Sequence, residues 1–256
     1  MLIDLHANPG ELTPGDFASR VANAGLDAVV LTLTNRADAL EPYIDALEEQ
    51  DVAVYVGVEL ALEKGLIVFL PTSEDDAFFD ADWTNQGSLW TVDSLRDRLD
   101  DWSGCVIAAH PYCRDDESVL GDQVYRLPKL AAVATRTGRG RSTWDRLADD
   151  VAAKKGAVRI GTSCGNAEYL GAAATVFADE FEEQAELIAA IEAGQCVLIE
   201  MDDPAAPRDR RPPRRPQNRD DRGGRSPRGR GDRGDRGGRR ERGERGDRRG
   251  RGRRRD

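Results

Sequence analysis

Four strand-length runs of almost unbroken apolar residues set the limits on what this chain can fold into. Asp27 to Leu33 reads DAVVLTL, Val52 to Val58 reads VAVYVGV, Leu66 to Leu70 reads LIVFL and Gly104 to Ala109 reads GCVIAA. A strand with one face in water alternates polar and apolar residues, whereas runs of this kind belong to strands buried on both faces, as in a mainly parallel sheet covered by helices. Helical segments stand between them. Thr13-Pro14-Gly15-Asp16 supplies an N-cap, a proline at the first helical position and an acid in the first turn, Phe17, Val21 and Ala24 share a face, and Gly25 stands where that helix ends. Further helices are predicted over about 38–49, from Thr91 to about Trp102, from Ser142 to Lys155 and from Glu182 to Ala193. Lys64-Gly65 predicts a hairpin, and further strands are predicted over 130–134, 157–162, 173–177 and 195–201. This alternation, with polar or reactive residues at the strand ends, predicts a barrel-like α/β domain with its site on the C-terminal rim.

Two segments break the pattern. Residues 72–90 are acidic yet contain Phe78, Phe79, Trp83 and Trp90, which predicts an excursion whose aromatic side chains fold back on the body. From residue 204 onward prolines lead into arginine, glycine and aspartate repeats, with no aliphatic or aromatic side chain after Arg208. Such a composition has nothing to offset the entropy of ordering a backbone, so disorder is expected there. The domains are therefore placed at 1–203 and 204–256.

The charge reverses at the same place. Residues 1–207 hold 15 Lys and Arg against 38 Asp and Glu, a net −23, while residues 208–256 hold 22 Arg against 9 acids, a net +13; together they give the −10 of the whole chain. An acidic body reads first as a solvated surface. The four cysteines form no C-x-x-C pair, and three sit in apolar or small-residue runs, which predicts buried reduced thiols. The first residues show no basic segment followed by a long apolar one, and no apolar run approaches the ~18 residues needed to span a bilayer, so a cytoplasmic protein without membrane contact is expected.

Met1 to Asn8 is read as a short buried strand delivering His6 to the rim. Ile3-Asp4-Leu5-His6, with Leu12-Thr13-Pro14 and Ala24-Gly25-Leu26-Asp27-Ala28-Val29, resembles the opening of the PHP (polymerase and histidinol phosphatase) domain family. Gly57-Val58-Glu59 is similar to that family's G-x-E, Ala108-Ala109-His110-Pro111-Tyr112 to its A-H-P, and Leu170-Gly171 to the L-G after its last site motif. The resemblance covers roughly residues 1–200. It implies the family's distorted (β/α)7 barrel and, in a typical member, a multinuclear metal site.

The chain departs from the family at that site. Asn8 replaces the second histidine of D-L-H-x-H, Leu33 and Thr34 stand where T-D-H supplies an acid and a histidine, and Ser163 and Gly165 occupy the ligand positions of G-S-D-A-H. Only His6, Glu59 and His110 remain at positions corresponding to ligands, and these two histidines are all that the chain contains. Each ion of such a site needs about four to six ligands, more than this set supplies. The expectation is a degenerate member without phosphoesterase turnover and without a cofactor. The alternative is a metal-dependent phosphoesterase holding one divalent ion (Zn, Mn or Fe) on His6, Glu59 and His110, where a bound water could reach a pKa of about 7. Each histidine taken singly also fits a hydrogen-bonded, half-buried side chain, and Asp4 is read as structural.

Positive charge offers a different chemistry. Arg136, Arg139 and Arg141 alternate with Gly138 and Gly140 just before a helix start, a pattern suited to phosphate and equally to an ordinary surface loop. Residues 208–256 resemble arginine–glycine segments of RNA-binding proteins, with Arg222, Arg225, Arg228, Arg230, Arg233 and Arg236 as candidate contacts to RNA or another polyanion. Association of the acidic body with the basic tail, or simple solubilisation, fits the same composition.

Overall fold

A computed structural model describes residues 1–113, 119–138 and 142–200. Arg139, Arg141, the 204–256 segment with its six candidate arginines and the boundary at 203 lie outside the described residues. Among the described residues are nine strands, β1 (Leu2–Ala7), β2 (Ala28–Thr34), β3 (Ala53–Ala61), β4 (Leu66–Pro71), β5 (Gly104–Ala109), β6 (Leu130–Arg136), β7 (Val158–Gly161), β8 (Ala173–Phe177) and β9 (Cys196–Glu200). They form one sheet in the order β7-β6-β5-β4-β3-β2-β1-β8-β9. β4 runs antiparallel to β3 and β5, and β8 antiparallel to β1 and β9, while the remaining pairs are parallel. All strands but β4 and β8 therefore point the same way, and their C-terminal ends define one rim.

The sheet curls into a nearly closed barrel. At the seam the Thr175 side chain of β8 does the work of a ladder bond, accepting from Gly161 N–H at 3.2 Å and donating to the Gly161 carbonyl at 3.0 Å. Gly161 is needed there, because a Cβ would lie 2.5 Å from the Ala174 carbonyl oxygen. The expected distorted α/β barrel is present, with β4 and β8 as counter-running strands.

Helices α1 (Pro14–Asn23), α2 (Glu41–Glu48), α3 (Asp76–Phe79), α4 (Val92–Asp100), α5 (Ser142–Lys155) and α6 (Gln184–Glu192) connect the strands. Their starts follow local chemistry: Thr13 caps α1 by accepting from Asp16 N–H, and Thr91 with Ser94 forms a capping box at α4. No helix among the described residues is long and apolar enough to cross a membrane.

Alternate strand residues separate into two buried clusters. Val29, Leu31 and Phe69 pack with Phe17 and Val21 of α1 and with Leu95 and Leu99 of α4. Val30, Val68 and Ile107 face the interior with Ile3 and Leu5, where Leu187 and Ile191 of α6 join them. The 72–90 excursion belongs to the first cluster, as its composition predicts. Trp83, 1% exposed, packs on Phe69, Phe78 and Trp102, and the Arg98 guanidinium stacks 4.9 Å from its ring.

Gln184 closes a gap that the strand pattern does not reveal. Pairing of β3 with β4 stops at Val58–Phe69, leaving the Val56 N–H and the Pro71 carbonyl without ladder partners. The buried Gln184 carboxamide accepts from Val56 N–H at 2.7 Å and donates to Pro71 O at 2.5 Å. Because each buried group left unsatisfied costs about 1–3 kcal/mol, Gln184→Leu should lower stability by about 2–4 kcal/mol. Urea denaturation checks this, and a loss below about 0.5 kcal/mol would show that water replaces the bridge.

Candidate functional site

His6 reaches the rim through a fault in its strand. Asp4 pairs with Val29 and Ala7 with Leu31, so β1 carries one residue more than β2 over this stretch. A bulge of this kind re-aims side chains. Leu5 joins the interior cluster, and the next residue, His6, also meets the inner-facing Glu59 of β3.

The His6 Nε2 to Glu59 Oε2 distance is 2.6 Å, with His6 fully buried and Glu59 4% exposed. The Thr34 hydroxyl, at the end of β2, donates to Glu59 Oε1 at 2.5 Å and accepts from Asn8 Nδ2 at 3.3 Å. Burial acts to raise the Glu59 pKa, but the bonds from His6 and Thr34 outweigh it and hold the carboxyl below its ordinary value of 4.5. An ionised Glu59 has no proton to give, so His6 carries the shared proton on Nε2. Its Nδ1 has no hydrogen-bond partner among the described residues.

The loop after β7 fastens onto β1. Both oxygens of Asp4 accept from Ser163 N–H at 3.1 Å, and Asp4 Oδ1 also accepts from His6 N–H at 3.1 Å. Ser163 Oγ and Gly165 N–H donate to the His6 carbonyl at 3.1 and 2.9 Å. Asp4 is fully buried, and desolvation pushes its pKa up to about 6 against the hydrogen bonds that favour its charge.

Of the three ligand-position residues, the structure brings His6 and Glu59 into direct contact. The His110 ring, on a residue with φ of 28° directly after β5, lies 6.2 Å from that of His6, nearly parallel to it. Among the described residues no group of three or more His, Cys, Asp or Glu side chains is placed to hold a metal ion. Cys113 and Cys164 near the rim are buried and add no such group.

Gly165 closes the same space from above. A Cβ there would lie 2.5 Å from His6 Nε2 and 2.9 Å from Glu59 Oε2, and its φ is 64°. The residues present thus do not fit a metal ion: two of the three candidate ligands are bonded to each other, with a backbone turn seated on them.

Arg136 is already engaged. Its guanidinium contacts Asp149 at 3.1 Å and Glu200 at 3.8 Å, and donates to the Thr135 carbonyl at 2.8 Å. Burial pushes neighbouring Asp145 up to about 6 despite the opposing charge of Arg136.

Sequence reasoning missed the roles of Thr34, Ser163 and Gly165 here, since it marks only that they are not metal ligands. The Asp4–Ser163 contact joins residues 159 apart, and no local pattern announces it.

Neither a sequence-family profile nor a curated protein sequence matches the chain. Among solved structures it resembles PsfC from Pseudomonas syringae, with a TM-score of 0.59 and 15% identity over 78% of this chain and 91% of that one. It also resembles a protein from Bifidobacterium adolescentis provisionally named a metal-dependent phosphoesterase, with a TM-score of 0.50 and 12% identity over 74% of this chain and 96% of that one. At such identities the likeness shows the fold alone, a barrel-like α/β domain.

The Asp4 environment carries a pH signature. Its folded pKa of about 6 lies above the ordinary 3.8, so its contribution to stability is fully present below pH 3.8 and lost as the pH rises through about 6. Glu59 has the opposite sign, but its contribution is lost only as the pH falls below 4.5. The stability of the wild type relative to Asp4→Asn should therefore fall by about 1 kcal/mol between about pH 5 and pH 7.5. Urea unfolding at several pH values measures it; a pH-independent difference would contradict a titrating, desolvated Asp4.

Proposed function

We propose that residues 1–203 form a PHP-like domain without phosphoesterase turnover, and that the arginine-rich segment 204–256 contacts RNA or another polyanion. The observation that carries the first half is the 2.6 Å bond between His6 and Glu59 beneath Gly165. It occupies the place where a hydrolase of this architecture needs open coordination positions and a polarised water. The second half rests on charge. Residues 208–256 carry 22 arginines against 9 acids, whereas residues 1–207 carry a net −23, and dispersed guanidinium groups neutralise phosphates and stack on unpaired bases.

A second reading is a metal-dependent phosphoesterase, and the fold likeness to the Bifidobacterium protein favours it. In that reading His6, Glu59 and His110 hold one ion after the His6–Glu59 bond opens.

Hydrolysis of p-nitrophenyl and bis-p-nitrophenyl phosphate with Zn, Mn or Fe separates the two. The proposed reading gives no rate above that of a His6→Ala, His110→Ala double variant; metal-stimulated turnover that this variant lacks would establish the phosphoesterase. For the second half, changing Arg222, Arg225, Arg228, Arg230, Arg233 and Arg236 to Gln in the full chain should weaken single-stranded RNA binding ~10-fold or more at low salt. The difference should narrow as salt rises. Equal affinities by fluorescence anisotropy would refute RNA contact through these residues.

A further inference from the structure

We infer that the His6–Glu59 bond does on this rim the cross-strand job that a metal ion would do, so that the barrel end is closed without an ion. The inference rests on the reading of the domain as one without turnover, and it says what the remnant of the site is for.

The topology makes the bond more than a local contact. β1 and β3 are not neighbours, since β2 lies between them in the sheet. His6 and Glu59 therefore reach over β2 to meet, and Thr34 of β2 bonds the second carboxylate oxygen. One carboxylate thus gathers the ends of three strands. The backbone of the same histidine receives the loop after β7 through Ser163 Oγ and Gly165 N–H.

A metal would require both groups to turn lone pairs toward a common point about 2.0–2.2 Å from each. The shared Nε2 proton occupies that line instead, and the glycine turn fills the approach. Pair and glycine depend on each other: any side chain at 165 would start 2.5 Å from the imidazole nitrogen, while replacing the imidazole by a methyl group removes that obstacle. This coupling distinguishes a glycine seated on the pair from one kept only for its backbone angle.

The test uses the full chain in two arms. In the first, thermal unfolding is followed with EDTA and with excess Zn or Mn, alongside elemental analysis of protein purified without affinity-tag histidines. The midpoint should agree within about 1 °C in all conditions. A saturable rise of about 5 °C or more that is lost in Glu59→Gln, the size expected from ligand linkage, would overturn the inference, as would near-stoichiometric metal in the purified protein.

In the second arm Gly165→Ala is made in the wild type and in His6→Ala. Its midpoint loss should be at least twofold larger in the wild type; equal losses would overturn the coupling. If His6→Ala does not fold, His6→Ser, whose short hydroxyl likewise vacates the position of the imidazole nitrogen, takes its place with the same criterion. Hydrolysis that needs no metal, with an unmoved midpoint, would sink the no-turnover reading and leave the clasp standing. A metal-raised midpoint without hydrolysis would sink the clasp alone.

Discussion

A carboxylate and an imidazole buried at the mouth of a barrel are tolerable only when their polar atoms find partners, because an uncompensated buried charge costs several kcal/mol. The C-terminal rim of this molecule is arranged around that requirement. Glu59 uses both oxygens, one on His6 and one on Thr34. Asp4 spreads three accepted bonds over Ser163 and His6. Because the partners come from β1, β2, β3 and the loop after β7, meeting the needs of buried charge and closing the barrel end are one process. Buried pairs of this kind are weak sources of net stability compared with apolar packing. What this pair contributes on the rim is to fix which segments meet, since both Glu59 oxygens and the His6 carbonyl are satisfied by particular partners.

The geometry depends on two irregularities that act together. Without the extra residue in β1, strict alternation from Leu5 would aim His6 away from the interior. The bulge lets Leu5 fill the core while His6 still reaches Glu59. The turn after β7 must then come down onto the imidazole, and only a residue without a Cβ, at a positive φ, fits there. At the C-terminal end of β7, Gly161 allows a similarly close approach to β8. Two glycines four residues apart thus permit, respectively, the seam and the lid of the barrel.

Much of the scaffold was legible because its signals are local. Apolar runs located the first five strands within two or three residues, Thr13-Pro14 fixed the start of α1, and the aromatic content of 72–90 announced its return to the core. The antiparallel course of β8 was not legible, since a short apolar strand reads alike in either direction. Nor was the Gln184 bridge, which exists because two strands part at one register position. At the site, residue identities gave His6, Glu59 and His110. They could not show that two of these satisfy each other, because that depends on a bulge and on a loop more than 150 residues away. Polar side chains buried together at a barrel mouth are stabilised when they hydrogen-bond one another, and His6, Glu59 and Thr34 do so here.

Charge supplies the last step. Arg136, a candidate phosphate contact or an ordinary surface-loop residue by sequence, is held by Asp149 and Glu200; turning toward a phosphate would leave two carboxylates without it in an already acidic body. A body of net −23 also repels a polyanion, and that repulsion extends about one Debye length, roughly 8 Å at physiological ionic strength. Any polyanion contact in the proposed reading therefore belongs to the arginines beyond residue 207, with attraction by that segment opposed by repulsion from the body. Raising salt screens both, so the net salt dependence should be shallower than the arginine count alone implies. Neutralising tail arginines removes only the attractive part, which is why the tail variant, and not the bare salt slope of the wild type, is the informative comparison.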